Sequence, residues 1–413
     1  MPDQSAASSA QTAEAIPLRQ QLPVYAAGIF SNGAVQLAAV IVPLWMLKID
    51  PSPLMIGIAL GARQVLPVLL SIHGGALMDR MGIRRVMIWF SILGFATPML
   101  FPLFPYFGAV LVLQMLGGIS AAMGWIGTQA QIGAIMRGSP TYAGRVTFFN
   151  RFGTLAGPPA TGAAWDLGGP WGGFAFLTFW GFALFVACVL MPKAKTGDAG
   201  GGTTHAADTT WRDALPRVGD YVSAFRLLAI PAIAFVVAVT LLRHSSNGIL
   251  TSFYVVWLES IGFEGTLIGT LIAVSSILGS VGSLCAGWLA RLFTSYRVLV
   301  VTVCCAIFCV AITPLLGTFF LLLLASALRG GFMGVSQPLL ISLLAQSAGD
   351  AQGKAVGLRT TVNRLSILAT PVVMGAIAEV LGIAASFYVV GALLIALMLL
   401  VAYRSRAAFA GAA

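Results

Sequence analysis

Five arginines and a histidine stand inside long apolar runs, where charge is costly: Arg63, Arg151, Arg243, Arg329 and Arg364, with His244 beside Arg243. An ionised side chain at the centre of a bilayer costs several kcal/mol unless it is paired or hydrated. The thirteen acids offer no pairing at that depth, since all fall in tails, loops or the ends of apolar runs. Buried cations without carboxylates suit an anionic or zwitterionic solute, because a guanidinium presents planar, bidentate hydrogen bonds to a carboxylate or phosphate. At about 100° per residue, Arg243, Asn247, Thr251 and Tyr254 fall within about 80° of one another on one helix face. Asn32 and Gln36 share a face in an earlier run. The candidate substrate contacts are therefore Asn32, Gln36, Arg63, Arg243, Asn247, Tyr254 and Arg329. Structural roles stay open beside these, with Arg329 as an interhelical link and Asn32 and Gln36 as hydrogen bonders between neighbouring helices. His244, whose imidazole ordinarily titrates near neutrality, is either a proton-coupling group or a satisfied structural histidine.

The elements that must position these residues follow from composition. The chain is 58% hydrophobic and only 9% charged, with 47 glycines and a mean hydropathy of +0.93. That composition excludes an ordinary soluble domain. A hydrocarbon core of about 30 Å takes roughly 20 apolar residues per helix. On that measure twelve runs appear, at 22–47, 54–77, 86–103, 107–135, 146–165, 174–191, 230–258, 266–290, 298–316, 319–345, 361–381 and 385–403. The expected fold is an all-α membrane protein of twelve transmembrane helices in two pseudo-symmetric six-helix bundles. Its parts are a tail at 1–21, a bundle at 22–192, a linker at 193–226, a bundle at 227–404 and a tail at 405–413.

Seventeen Lys and Arg residues fall on one side of this arrangement and Lys48 alone on the other. By the positive-inside rule both termini and the linker are cytoplasmic, in a multi-pass protein of the cytoplasmic (inner) membrane. The net charge of +10 is thereby accounted for without nucleic acid. The first fifteen residues lack the basic and apolar regions of a cleaved signal, so the first span is expected to direct insertion. Cys188, Cys285, Cys304, Cys305 and Cys309 lie in apolar runs without metal-ligand spacing and read as small hydrophobes. Trp45 and Trp257, near the ends of their runs, read as interfacial aromatics.

The two halves repeat. Trp45 and Gly57 match Trp257 and Gly269 at a shift of 212. At a shift of 213, Gly117-Gly118, Asn150-Arg151, Pro158, Gly162 and Asp166 match Gly330-Gly331, Asn363-Arg364, Pro371, Gly375 and Glu379. Apolar composition does not generate such matches at nearly one offset.

Between the second and third runs, Gly75-Ala-Leu-Met-Asp79-Arg80-Met-Gly82-Ile-Arg84-Arg85 reads G-x3-D-R-x-G-x-R-R. It resembles the loop joining helices 2 and 3 in the major facilitator superfamily of transporters. The resemblance implies that Asp79 and Arg80 latch the cytoplasmic side, supported by Gly75, Gly82, Arg84 and Arg85. Arg151 and Arg364, about two turns inside the fifth and eleventh runs, are then gate partners, with solute contact or plain anchoring as the other roles. The second copy, Gly287–Arg297, carries Arg291 where the acid stands, so the gate is expected to be asymmetric. In the fifth run Gly153-x3-Gly157-Pro158-x2-Thr161-Gly162 resembles a proton-coupled exporter motif, with Gly157, Pro158 and Gly162 as packing residues. It departs by Thr161, and Gln114 stands where such exporters carry an arginine.

The implied function is secondary active transport of a small organic anion or amphipathic solute by alternating access, with proton-coupled export leading. Uptake by symport or uniport is the alternative, and a non-transporting receptor or assembly factor on the same fold is the rival class. An enzyme is not expected, since nucleophiles, paired acids and metal ligands do not cluster at membrane depth. The absence of a G-x4-G-K-[ST] loop argues against primary transport. The expected partners are a small-molecule solute, H+ and the lipid bilayer, with no cofactor or metal, and the expected state is a monomer.

Overall fold

The computed structural model describes residues 16–49, 52–134, 140–192, 225–348 and 352–409. Nearly all of the expected linker, both chain ends and Arg137 lie outside the described residues. Every regular element among the described residues is helical. The first half holds α1 (Leu18–Ile49), α2 (Pro53–Ala62), α3 (Val65–Met81), α4 (Ile83–Ala96), α5 (Leu100–Leu103), α6 (Phe107–Ala134) and α7 (Pro140–Leu190). The second holds α8 (Pro231–Leu250), α9 (Phe253–Ser260), α10 (Gly265–Leu292), α11 (Ser295–Ala311), α12 (Phe319–Ala348), α13 (Gln352–Leu381) and α14 (Ile383–Phe409). Nine stretches of the described residues are long and apolar enough to cross a membrane. With the break inside α7 and the shorter α4 and α11, this is consistent with twelve crossings.

The breaks in the second and seventh expected spans, and the joining of the fifth and sixth, each have a local reason. The second breaks at Arg63–Gln64, between α2 and α3. Pro67 has no N–H to give the Arg63 carbonyl, and α6 fills the gap with Gly118, where a Cβ would overlap that oxygen. The seventh breaks at Thr251–Ser252. There the Thr251 and Ser252 hydroxyls donate to the carbonyls of Asn247 and Gly248, at 3.2 and 2.6 Å, competing with the helix ladder. The fifth and sixth spans, expected as separate runs, form one helix broken only at Gly169, whose φ of 58° is left-handed. Pro170 restarts the helix with a φ already suited to its first turn.

One further expectation is corrected. Trp45 is buried, edge-on to Phe174 at 5.8 Å, so it is a core residue rather than an interfacial one. Large apolar side chains such as Trp89, Leu284 and Phe320 remain exposed, as suits a surface bathed in lipid.

The halves meet along two equivalent seams, α7 against α10 and α13 against α2. A Cβ on Gly269 would overlap the Pro158 carbonyl oxygen, and one on Gly57 would overlap that of Pro371. Gly162 meets the Gly265 carbonyl in the same way, while a Cβ on Gly375 would lie 2.5 Å from that of Pro53. Each pair in one seam maps onto the other at the shifts of 212 and 213. Residues without side chains let backbones approach where lipid supplies no hydrophobic drive.

Candidate functional site

A cavity of about 270 Å³ opens at the junction of the halves, lined by Gln36 of α1 and Arg151 of α7 from the first half. From the second half come Arg243 and Asn247 of α8, Thr251 just past its end, Ser275 and Ser276 of α10, and Arg329 and Gln337 of α12. Arg243 donates from Nε to Ser336 Oγ at 2.9 Å and from Nη2 to the Met333 carbonyl at 3.0 Å. Arg329 donates to Ser275 Oγ and to Asn247 Oδ1, each at 3.1 Å. Asn247 lies one turn beyond Arg243, and Met333 one turn beyond Arg329, so the arginines cross-link α8 and α12 about one helical turn apart. All these partners are neutral. Among the described residues no carboxylate pairs with Arg151, Arg243 or Arg329. Arg329 Nε and Gln337 Oε1 are buried without a hydrogen-bond partner. The cavity is therefore cationic.

The structure thus brings together Gln36, Arg243, Asn247 and Arg329 from the expected substrate contacts, and adds Arg151 from the expected gate. Asn32 lies one turn before Gln36 on α1, half-buried. Tyr254 does not join them. The break at Thr251–Ser252 ends the helix face that predicted its position, and its buried hydroxyl pairs with Ser326 at 2.9 Å. Arg63 faces another space, a small cavity of about 40 Å³ within the first half, shared with Ser91, Ser120 and Gln114. Its Nη1 donates to Gln114 Oε1 at 3.5 Å, and Gln114 Nε2 donates to the Ala59 carbonyl at 3.3 Å. His244 points at Arg243, with Nε2 at 3.4 Å from Nη1, and its Nδ1 is buried without a partner. Arg359 lies within electrostatic range of both Arg243 and His244.

Around the expected gate, Gly82 closes α3 with a left-handed φ of 87° and donates to the Met78 carbonyl at 2.9 Å. The side chains of Asp79 and Arg80, and the surroundings of Gly75, lie outside the described residues. Arg84 turns toward its own half, where it donates to the Cys188 and Val189 carbonyls at 3.3 and 2.6 Å. That satisfies carbonyls left open at the end of α7 and places a cation at the negative pole of the helix. Arg85 shares a surface depression with Gly82 and Arg84. Arg364 donates across the halves to the Pro67 carbonyl at 3.0 Å. Gly157 packs against Leu37 of α1, whereas Pro158 and Gly162 face α10.

Two carboxylates at the opposite end matter more than their sequence positions suggested. Asp166 accepts from the Gly265 and Thr266 backbone N–H groups, both at 2.8 Å, and from Thr266 Oγ1 at 2.6 Å. Glu379 accepts from the Leu54 N–H at 3.2 Å and from Ser52 Oγ at 2.9 Å. Each acid thus caps a helix of the other half, α10 and α2 respectively. The repeat matched the two acids but could not show what they meet.

Charged contacts at both ends and a polar cavity between two related bundles are what a solute carrier requires. A model of the Major Facilitator Superfamily matches residues 24–348 and, again, 237–410. The chain belongs to the Major Facilitator Superfamily. Among solved structures, this superfamily member resembles a mutant form of the nucleoside transporter NupG, with a TM-score of 0.76 and 14% identity over 94% of this chain and 100% of the other. It also resembles a bacterial homologue of the human lysosomal transporter Spinster, inward-facing and unoccupied, with a TM-score of 0.70 and 14% identity over 95% and 98% of the two chains. The POT family transporter PepTSo gives a TM-score of 0.69 at 11% identity over 94% and 98%. At such identities the likeness shows the fold alone. No curated protein sequence matches the chain significantly. The superfamily member is accordingly a secondary transporter by family.

Proposed function

We propose that this superfamily member moves a small organic anion across the cytoplasmic membrane by alternating access, working as a monomer with both termini and the Gly82 turn in the cytoplasm. The observation that carries this reading is the placement of Arg151, Arg243 and Arg329 around one cavity with no described carboxylate among them. Arg329 is buried and Arg243 half-buried without a counter-charge, which is costly, and a bound anion relieves that cost. Because Arg151 belongs to one half and the other two arginines to the other half, the solute sits where both bundles can grip it.

The Asp166 and Glu379 caps, with the glycine seams beside them, hold the outer end shut in this reading. The Asp79 latch supplies the opposing gate. Coupling to protons rests on His244. A negative charge arriving at Arg243 favours a proton on the adjacent imidazole, so solute and proton travel together. Symport is then the better-supported coupling, and antiport export, suggested by the Gly157-Pro158 segment, is the second reading.

Flux into proteoliposomes decides between transport and mere binding. Labelled organic anions should enter protein-containing vesicles faster than protein-free ones, and a proton gradient should drive symport or export according to its sign. Binding of an anion without any translocation would leave only a receptor on the same fold.

A further inference from the structure

The cationic groups of the cavity are divided between its two walls. Arg151 of α7 stands on the first-half wall, whereas Arg243 and Arg329 are laced together on the second-half wall through Asn247 and the α12 backbone. A single carboxylate can engage the Arg243–Arg329 side, but Arg151 then stays unmatched on the other half. The cavity of about 270 Å³ is far larger than one small ion needs, at roughly 30 Å³ per water molecule. Its walls are not uniformly polar. Leu250, Ile272, Met333 and Pro338 lie among the polar groups and suit a short hydrocarbon spacer.

We infer that the solute is a small organic dianion, with one charged group held by Arg151 and the other by Arg243 and Arg329. This deepens the anion reading above and rests on it. Two anionic ends joined by a short chain satisfy cations on both bundles at once. Binding therefore draws the two walls together, whereas a monoanion leaves one wall unbound. The charge-assisted hydrogen bonds at each end are individually stronger than neutral ones, which gives the second charge a measurable effect. Two carboxylates joined by a short chain meet this description, since each offers paired acceptor oxygens to a guanidinium.

The test uses the purified full-length protein and compares succinate with its monoamide succinamate, and with ethyl phosphate as a dianion whose charge sits on one group, at equal ionic strength. Thermal stabilisation and competition binding are read in the original protein, in Arg151→Gln and in Arg151→Lys. Succinate should bind at least about tenfold more tightly than succinamate, a difference of about 1.4 kcal/mol, and more tightly than ethyl phosphate. Arg151→Gln should abolish the preference for the dianion while keeping weak binding of succinamate, and Arg151→Lys should retain part of it. Equal binding of succinamate and succinate, ethyl phosphate binding as tightly as succinate, no binding of any of the three, or an unchanged preference in Arg151→Gln would overturn the inference. Proteoliposome flux separates this from the transport reading. Monoanions that bind best and are translocated sink the dianion alone, whereas dianions that bind without flux sink the transporter alone.

Discussion

Asp166 and Glu379 make the same contact from opposite halves of the molecule. Asp166 closes the amino end of α10 through Gly265 and Thr266, and Glu379 closes that of α2 through Leu54 and Ser52. The acids are 213 residues apart, and Leu54 and Thr266 are 212 apart. A carboxylate suits this position twice over, because it accepts from N–H groups the helix leaves open and faces the positive pole of the dipole. Both links cross the boundary between halves, so they must break whenever that end opens.

Removing their charge should therefore shift the conformational balance. Asp166→Asn and Glu379→Gln each weaken a cap of about 1 kcal/mol, and the double variant should populate the state open at that end several-fold more. Labelling of single cysteines beside Ser276 from the outer side reports the change. Equal labelling in the double variant and the original protein would refute a latch.

The glycine seams predict a steric version of the same result. Gly57→Ala and Gly269→Ala place a methyl group against the Pro371 and Pro158 carbonyls, and over-packing of this kind costs about 1–3 kcal/mol. The outer end should stay open and flux should fall at least about tenfold, while the helical content measured by circular dichroism is unchanged. Gly82→Ala should act differently, through its positive φ rather than through contact.

Arg63 and Arg243 look alike in the sequence and should behave differently. Arg243→Gln removes a guanidinium from the central cavity and should lower the affinity for anions by about tenfold or more, a loss of about 1.4 kcal/mol. Arg63→Gln acts in a separate space beside Gln114 and should change that affinity by less than about twofold. Isothermal titration with the best-bound anion checks both, and equal losses would place Arg63 in the solute's path.

The remaining gate of the proposed function rests on Asp79. Asp79→Asn should raise labelling of cavity cysteines from the cytoplasmic side or slow transport. No change in either measurement would leave Asp79 as a loop acid only.

The sequence by itself determined the class of protein and much of its symmetry. Apolar runs of membrane length admit few structures other than helices, because lipid leaves no other partner for backbone polar groups. The lone Lys48 opposite seventeen cations implied an orientation, and matches such as Gly57 with Gly269 exposed the repeat. Arg243, Asn247 and Arg329 were legible as one candidate group because arginine at membrane depth is rare enough to signal itself. Serines and glutamines carry no such signal, so Ser275, Ser336 and Gln337 emerged only from the fold. Tertiary structure also decided which cations share a space. A helix wheel treats 230–258 as a continuous rod, and the break at Thr251–Ser252 turns Tyr254 to Ser326 instead. Pro67 interrupts the second span at Arg63, whose side chain then serves its own bundle. Arg151 reaches the cavity because α7 is packed between α1 and α10. Periodicity reports the faces of one helix, but a site shared by two bundles depends on how separate helices meet, and that is set by packing between residues more than a hundred positions apart.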